Sequence, residues 1–396
     1  FNDTNKFAVP TVNLQFTKEE NIDQNNILNY DEFLRLNFYK SKIDELDDTN
    51  DWDEAKKISN LYELIYLPNK KFKSDSISRY EPLSRSYFKL WEIINDFDLL
   101  GIEKNLKFAS VAEGPGGFIE AIANLRDNEN DIYIGISLLD DKSDPNIPAW
   151  KKTQQFLNNH KNVYIETGAD NTGNILSMEN FIHCKENYAS SMELVTADGG
   201  FDFSMDFNSQ EINITQLLYA QICYAICLQK MGGSFILKIF DSFMKHTIDM
   251  LYLLSSVYGE VYISKPQTSR YANSERYIIC KNFLFNNLDT KNFKKVLKEI
   301  IDLKEDEYVD SFFDITISNY FINKLEEYNA IFGQQQIETI NNTLNLINNS
   351  NNSEKIDQLI KNNIQRSTSW CTKYNVPHNV ISQTNVFLSN DEVELS

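Results

Sequence analysis

Cysteine is scarce in this sequence, and the few cysteines form no motif. The five are scattered without a Cys-x-x-Cys pair, at Cys184, Cys223, Cys227, Cys280 and Cys371. An odd, scattered set argues against a disulfide framework and against a zinc site, so we expect no bound metal and a reducing compartment, the cytoplasm or the nucleus. Cys223 and Cys227 lie four residues apart on a predicted helix, and we interpret them as core residues.

Long apolar runs are missing as well. No stretch of about 18 apolar residues occurs, so we expect no membrane-spanning helix. The chain begins at Phe1 without a basic, apolar and small-residue leader pattern, although a leader or start methionine that had been removed would leave no trace. With 396 residues and 42% hydrophobic side chains, the chain is long enough for two or three domains and a substantial core.

Basic residues are outnumbered, and the formal net charge is −19. This alone argues against nucleic acid as a partner, because phosphate binding draws on lysine and arginine. The acidity is concentrated at the ends, where residues 1–60 hold 7 basic and 13 acidic side chains and residues 301–396 hold 6 and 14. Between residues 70 and 89, however, 6 basic side chains face 2 acidic ones. This basic patch predicts nucleic-acid contacts, and the alternative is a solvated loop; its candidate residues are Lys70, Lys71, Lys73, Arg79 and Arg85.

Strand-like and helix-like segments alternate between about residues 107 and 283. Short apolar runs predict seven strands, at 107–112, 131–137, 162–167, 193–198, 234–240, 260–266 and 275–283. Helical patterns lie at 117–126, at 243–259 and at 212–231, the last of these ending at Gly232 and Gly233. The alternation predicts an α/β fold with a doubly wound, mostly parallel seven-stranded sheet. No helix fits between the last two strands, so we expect an antiparallel edge strand.

Polar, intermittently helical sequence flanks this region on both sides. We predict an N-terminal, mostly helical extension over residues 1–69, a central domain over 70–283 and a C-terminal, mostly helical extension over 284–396. Neither extension contains a recognisable chemical motif.

A glycine-rich turn, "ASVAEGPGGFIEAI", follows the first of these strands at residues 109–122. Ligands of open α/β sheets bind beyond the carboxyl ends of the strands, where glycines permit close approach to the backbone. The dinucleotide fingerprint fails because Ile119 holds the third glycine position, and no Gly-Lys-Ser/Thr follows, which excludes a phosphate-binding loop. The acid before the glycines suits a cationic small molecule such as S-adenosylmethionine, and the alternative is an ordinary turn. The predicted cofactor contacts are Glu113, Gly114, Pro115, Gly116, Gly117 and Phe118.

Charged residues lie at predicted strand ends on one side of this sheet. Asp198 closes one strand, Lys238 is embedded in "SFILKIF", and Glu275 opens the last strand. A lysine in an apolar strand is costly to bury unless it is paired, and Asp198 and Glu275 are its obvious partners. Lys89 lies on a helical segment upstream, on the same face as Arg85. Each charge alone is typical of a structural ion pair, whereas the four together predict a site.

Taken together, these motifs resemble the FtsJ-like 2′-O-ribose RNA methyltransferases, and within them the eukaryotic and viral mRNA cap methyltransferases. The resemblance covers about residues 70–283, in the strings "SRSYFKLWEI", "AEGPGGFIE", "TADGG", "GGSFILKIF" and "KPQTSRYANSERYIIC". It implies a Rossmann-like class I methyltransferase fold and a catalytic Lys-Asp-Lys-Glu set, which falls on Lys89, Asp198, Lys238 and Glu275. It also implies S-adenosylmethionine as the cofactor, with Asp170 contacting adenine and with Ser137 and Asp198 in the cofactor site. Glu113 is a departure, since many members have another residue there.

The resemblance implies an enzyme that methylates the ribose of the first transcribed nucleotide of capped mRNA, with Lys238 as base or orienting group. RNA would contact the basic patch and Arg270, and the capping or transcription machinery would be a partner. The resemblance extends to viral enzymes, so a viral protein in a host cell or virion is also compatible with it. Ribosomal or transfer RNA is the alternative substrate. The failed glycine fingerprint disfavours an oxidoreductase, and the intact set of four charges disfavours a catalytically silent RNA-binding scaffold.

Overall fold

The computed structural model describes residues 9–17, 26–46, 49–67, 76–101, 105–139, 150, 153–200, 210–304 and 307–379. The chain divides into two compact units. The first comprises Phe1–Asp47 and Leu83–Asn341, and the second comprises Asp48–Pro82 and Asn342–Ser396. The domain boundaries predicted from the sequence, at 69/70 and 283/284, rest on composition and not on contacts. They stay a prediction.

The described residues contain nine strands. They are β1 (Gln15–Thr17), β2 (Lys107–Val111), β3 (Ile132–Ile136), β4 (Val163–Glu166), β5 (Met192–Ala197), β6 (Gln229–Ile239), β7 (Tyr258–Ser264), β8 (Arg276–Phe283) and β9 (Tyr308–Ser311). Seven of them form one sheet in the order β4-β3-β2-β5-β6-β8-β7, and β1 pairs with β9 separately. This is the doubly wound, seven-stranded sheet that the apolar runs predict.

One strand of the sheet, β8, runs opposite to the others. Strands β2 to β6 pair in parallel, whereas β8 is antiparallel to both β6 and β7. The reversal expected near the edge is present, but the reversed strand lies one position in from the edge strand β7. Lys238 pairs with Tyr277 and Ile239 with Arg276. The beginning of β8 therefore lies beside the end of β6, where the other strands also end.

Helices lie between the strands of the seven-stranded sheet along the chain and beyond them at both ends. Those of the described chain are α1 (Tyr30–Asp44), α2 (Thr49–Ser59), α3 (Ser86–Phe97), α4 (Gly117–Arg126), α5 (Gln154–Asn159), α6 (Met178–Tyr188), α7 (Gln210–Asn213), α8 (Thr215–Leu228), α9 (Lys245–Val257), α10 (Lys291–Ile301), α11 (Asn319–Asn348) and α12 (Ser353–Lys373). The predicted helix at 117–126 coincides with α4. The helix predicted over 212–231 is wrong beyond Leu228, because Gln229 pairs with Met192 and begins β6, and Gly232 lies inside that strand with a φ of 81°.

The largest apolar cluster of the first unit includes buried residues of the sheet and of α8, α9 and α10. Helix α8 is buried on nearly all sides, as its almost uniformly apolar sequence requires. All five cysteines are free and buried, which confirms Cys223 and Cys227 as core residues. Among the described residues, no helix combines the length and the apolar character needed to cross a membrane.

Segments from both ends of the chain complete the first unit. The Val12 backbone N–H donates to Asn292 Oδ1 over 2.8 Å, and Asn292 Nδ2 donates to the Val12 carbonyl over 3.0 Å. Leu36 of α1, Phe243 and Ile337 of α11 form a small apolar cluster. Helices of both extensions thus belong to the compact body that contains the sheet.

The second unit joins α2, α12 and a 3₁₀ turn at Glu63–Ile65. Asn363 Nδ2 donates to the Ile58 carbonyl over 2.7 Å, and Trp370 is buried. The Arg79 backbone N–H donates to the Pro377 carbonyl over 2.8 Å. This unit is therefore held together by contacts between residues from the two ends of the sequence.

Candidate active site

Two buried ion pairs lie where β5 and β6 end. In the first, Lys238 of β6 faces Asp198, the residue after β5. Lys238 Nζ donates to the Asp198 backbone carbonyl over 2.7 Å and lies 3.4 Å from Asp198 Oδ1. The Tyr277 hydroxyl donates to the same Oδ1 over 2.9 Å. Asp198 is therefore held between a cation and a hydroxyl group.

The second ion pair joins α3 to the residue before β8. Lys89 Nζ lies 2.7 Å from Glu275 Oε1, and the two side chains are 10% and 9% exposed. Ser269 Oγ also donates to Glu275 Oε1, over 2.7 Å. The reversed direction of β8 brings Glu275 to the sheet edge at which β5 and β6 end.

The four charges form one electrostatic cluster. Burial lowers the pKa of Lys89, although Glu275 and then Asp198 act in the opposite direction. Burial disfavours ionisation of Glu275, but the charges of Lys89 and Lys238 outweigh it and lower the pKa of this carboxyl. Burial, followed by the charge of Asp198, raises the pKa of Tyr277 well above its ordinary value, so its hydroxyl remains a donor. The structure thus brings together the four residues that the sequence predicts as a set.

The glycine-rich turn connects β2 to α4 and is packed against a tryptophan. Gly116 caps α4 with a φ of 101°, a left-handed conformation that favours glycine. A Cβ added here would lie 2.8 Å from Trp150 Cζ3. Thr153 Oγ1 donates to the Pro115 carbonyl over 2.8 Å. Trp150 and Thr153 therefore pack against the turn and hold its backbone in place.

Glu113 is buried beside this turn. Its carboxylate accepts hydrogen bonds from Ser86 Oγ and Ser110 Oγ, each over 3.4 Å. Burial and then the charge of Asp198 raise the pKa of Glu113 to about 8, against backbone N–H groups of Phe118 and Gly117 that favour ionisation. Such a carboxyl suits a cationic ligand group, because the ligand's charge would favour the ionised form.

The loops after β3 and β4 lie against each other. Gly173 has a φ of 67°, and a side chain there would collide with the Ser137 carbonyl. Asp170 accepts hydrogen bonds from Thr172 N over 2.9 Å and from Asn180 Nδ2 over 2.8 Å. The hydrogen bond from the Thr172 side chain, helped by that of Asn180, lowers the pKa of Asp170 to about 2. Ser137 and Asp170 therefore follow neighbouring strand ends, and Asp170 is an exposed anion.

The predicted RNA-binding residues fall into three places. Lys70, Lys71 and Lys73 lie outside the described residues, and Arg79 belongs to the second unit. Arg85 precedes α3, and its Nη2 donates to the Thr268 carbonyl over 3.1 Å. Thr268 and the partly exposed Arg270 belong to the connection between β7 and β8, residues 265–275, which we name the 265–275 loop. Arg85 and Arg270 therefore lie at or in the loop that carries Glu275.

Sequence reasoning missed Glu92 and Tyr277. Glu92 is buried on α3 and accepts hydrogen bonds from the backbone N–H groups of Gln267 and Thr268, over 2.8 and 3.2 Å. Its signal was a carboxylate three residues after Lys89, inside the apolar stretch from Leu90 to Ile94. Tyr277 gave no signal, because its contact with Asp198 depends on the pairing of β8 with β6.

The open sheet, the glycine-rich turn and the charge cluster at the strand ends define a Rossmann-like class I methyltransferase. Residues 82–283 match the family model described as FtsJ-like methyltransferase. The chain belongs to this family, whose methyl donor is S-adenosylmethionine.

Curated relatives have cap-related names. The cap-specific mRNA (nucleoside-2′-O-)-methyltransferase 1 of Dictyostelium discoideum is 32% identical over 272 residues, 63% of this chain and 34% of that protein. The corresponding methyltransferase 2 of Danio rerio is 28% identical over 284 residues, 68% of this chain and 38% of that protein. This chain thus spans little more than a third of their length.

A solved structure described as a ribosomal RNA methyltransferase from Plasmodium falciparum is also similar. It has a TM-score of 0.36 and 25% sequence identity, and the match covers 51% of this chain and 98% of that chain.

Proposed function

We propose that this protein methylates the ribose 2′-oxygen of the first transcribed nucleotide of capped mRNA. The observation that carries the proposal is the meeting of Lys89, Asp198, Lys238 and Glu275 in two buried ion pairs at one sheet edge. The cap-specific names of the relatives support this substrate over ribosomal or transfer RNA.

The cofactor would be held by the loops that follow β2, β3 and β4. S-adenosylmethionine supplies a methyl group on a sulfonium, and its amino group is a second cation. The carboxyl groups of Glu113 and Asp198 suit these charges. We assign the amino group to Glu113, the methionine part to the turn at 113–118, and the adenosine end to Ser137 and Asp170.

Lys238 is the residue that we assign to the ribose hydroxyl. A hydroxyl is a poor nucleophile until its proton begins to leave, and an amine within hydrogen-bond reach can accept that proton. The Asp198 carbonyl holds Lys238 Nζ at 2.7 Å, so the amine has a fixed position. Placing the reacting oxygen by such a fixed group also lowers the barrier through proximity.

The other three charges would act through Lys238. Lys238 can accept the hydroxyl proton only as a neutral amine, after its own proton has passed to solvent. The carboxylates of Asp198 and Glu275 then stabilise the cation that forms. Lys89 balances Glu275 at 2.7 Å and keeps this carboxylate ionised in a buried place. The proton therefore comes to rest at Lys238 Nζ inside a compensated cluster.

RNA binding would be local. Arg85, a member of the basic patch, and Arg270 lie at the 265–275 loop and are the candidates among the described residues of the first unit. Because the net charge is −19, long-range attraction for phosphate is absent and short-range contacts must supply the affinity. The capping or transcription machinery is the partner we propose for a cap-directed enzyme.

Labelled S-adenosylmethionine, offered with capped, uncapped and ribosomal RNA, tests the proposal. After nuclease digestion, the label should appear on the first transcribed ribose of capped RNA and be lost in Lys238→Ala. Label on ribosomal RNA alone would support the alternative substrate. RNA binding without transfer to any RNA would support the scaffold.

A further inference from the structure

Two helices outside residues 82–283 reach the strands of the active site through buried polar side chains. Resting on the proposed function, we infer that α11 and α1 position the Glu275 carboxylate of the charge cluster. The positioning residues are Gln336, Asn329 and Lys40, the last acting through Asp241.

The 265–275 loop is fastened on one side by α3. Glu92 Oε1 and Oε2 accept from the backbone of Gln267 and Thr268. These contacts fall seven and eight residues before Glu275. Nearer to Glu275, Lys265 Nζ donates to its carbonyl over 2.6 Å from inside the loop. This side fixes the loop's first half and its base.

Helix α11 fastens the second half of the loop. Gln336 Nε2 donates to the Ala272 carbonyl and to Ser274 Oγ, each over 3.2 Å. Gln336 is 3% exposed, so water has little access to replace its amide. Ser274 directly precedes Glu275. The residue directly before the carboxylate is therefore held by a side chain of α11.

The residue after Glu275 is held by the same helix. Arg276 is buried, its Nη1 donates to Asn329 Oδ1 over 3.1 Å, and its guanidinium lies 4.9 Å from the centre of the Phe332 ring. Asn329 Nδ2 in turn donates to the Ser242 carbonyl over 2.8 Å. Both neighbours of Glu275 are thus tied to α11, at Gln336 and at Asn329.

Helix α1 completes the network through a shared carboxylate. Lys40 Nζ lies 2.7 Å from Asp241 Oδ2, with side chains 3% and 7% exposed. Asp241 Oδ1 lies 3.6 Å from Arg276 Nη2. Asp241 therefore divides its charge between two cations. Without Lys40 the whole charge would act on Arg276, which would be drawn toward Asp241 and would move the adjacent Glu275.

The first test compares two glutamines of α11. Gln336→Ala removes the loop contacts, whereas the matched Gln334→Ala removes only an exposed contact with Glu338. At a temperature where both variants are folded by circular dichroism, Gln336→Ala should lower kcat about ten- to a hundredfold. KM for RNA and the Kd of S-adenosylmethionine should remain those of the wild type. Gln334→Ala should behave as the wild type in every measurement.

The second test compares two lysines of α1. Lys40→Met should lower kcat, Lys40→Arg should restore most of it, and Lys42→Met on the same helix should have no effect. Hydrogen exchange of residues 265–275 provides a readout independent of activity, and it should be faster in Gln336→Ala than in Gln334→Ala.

These measurements separate the inference from the proposed function. Unchanged loop exchange together with wild-type kcat in Gln336→Ala and Lys40→Met would overturn the inference. A fall in kcat that only follows the loss of folded protein would do the same. If the wild type transferred no methyl group to RNA, the proposed function would fail, while faster loop exchange would still support the positioning role.

Discussion

Substituting Lys89 by methionine would leave the Glu275 carboxylate buried without its cation. The two charged groups are 2.7 Å apart, and at an effective dielectric constant of about 20 a pair at that distance attracts by about 6 kcal/mol. Hydration or protonation of the orphaned carboxylate recovers part of this energy, so Lys89→Met should lower the free energy of unfolding by about 3–5 kcal/mol. Glu275→Gln should cost less, about 3 kcal/mol, because burial already lowers the pKa of Lys89 and the lysine can release its proton.

A double-mutant cycle in urea at pH 7 measures the interaction. If the two residues stabilise each other, the double variant Lys89→Met/Glu275→Gln should lose about 2 kcal/mol less free energy of unfolding than the two single variants lose together. The exposed pair of Lys295 and Glu299 on α10, with side chains 74% and 40% exposed, is a matched control. Its cycle should give about 0.5 kcal/mol or less. Additive losses for Lys89 and Glu275 would refute the reasoning.

Three further predictions concern the neighbouring groups. Lys238→Arg keeps the cation but cannot accept a proton, so methyl transfer should be lost with cofactor binding intact; retained turnover would contradict a base role. At pH 7 the Glu113 carboxyl, with a pKa of about 8, is mostly neutral. Cofactor binding should therefore release about one proton, seen as a dependence of the calorimetric enthalpy on the buffer and abolished in Glu113→Gln. Gly135→Ala would place a Cβ 2.7 Å from Trp150 Cζ2. It should cost about 1–3 kcal/mol in urea unfolding, partly restored by Trp150→Leu, and an undiminished stability would show that the Trp150 ring can move aside.

The parts of the structure that short-range patterns specify could be predicted from the sequence. The apolar run before Glu113 and the helical spacing after Gly117 predict β2, α4 and the turn between them, because each element is specified by its own residues. The charge set could also be predicted, since a lysine inside "SFILKIF" requires partners. That Lys89 pairs with Glu275 and Lys238 with Asp198 could not, because the register of β8 decides it.

Non-local pairing explains the remaining differences. The residues from Gln229 to Met231 continue a helical pattern, yet they lie in β6, because Gln229 pairs with Met192. Propensity is a weak signal against a partner strand 37 residues away. The contacts of Gln336 with the 265–275 loop span 64 and 62 residues and involve amide and hydroxyl groups that occur on any polar helix. Nothing in the local sequence of α11 distinguishes Gln336 from Gln334.

The Lys40–Asp241 ion pair also has a consequence for the order in which the chain folds. The two residues are 201 positions apart, and Val12 and Asn292 are 280 apart. At a synthesis rate of about 5–20 residues per second, Lys40 waits about 10–40 s for its partner to be made. During that time α1 can be helical but cannot bury its lysine without cost. Helix α1 should therefore dock late, after the sheet has reached β6, and variants in the first 46 residues should slow the last step of folding rather than the first.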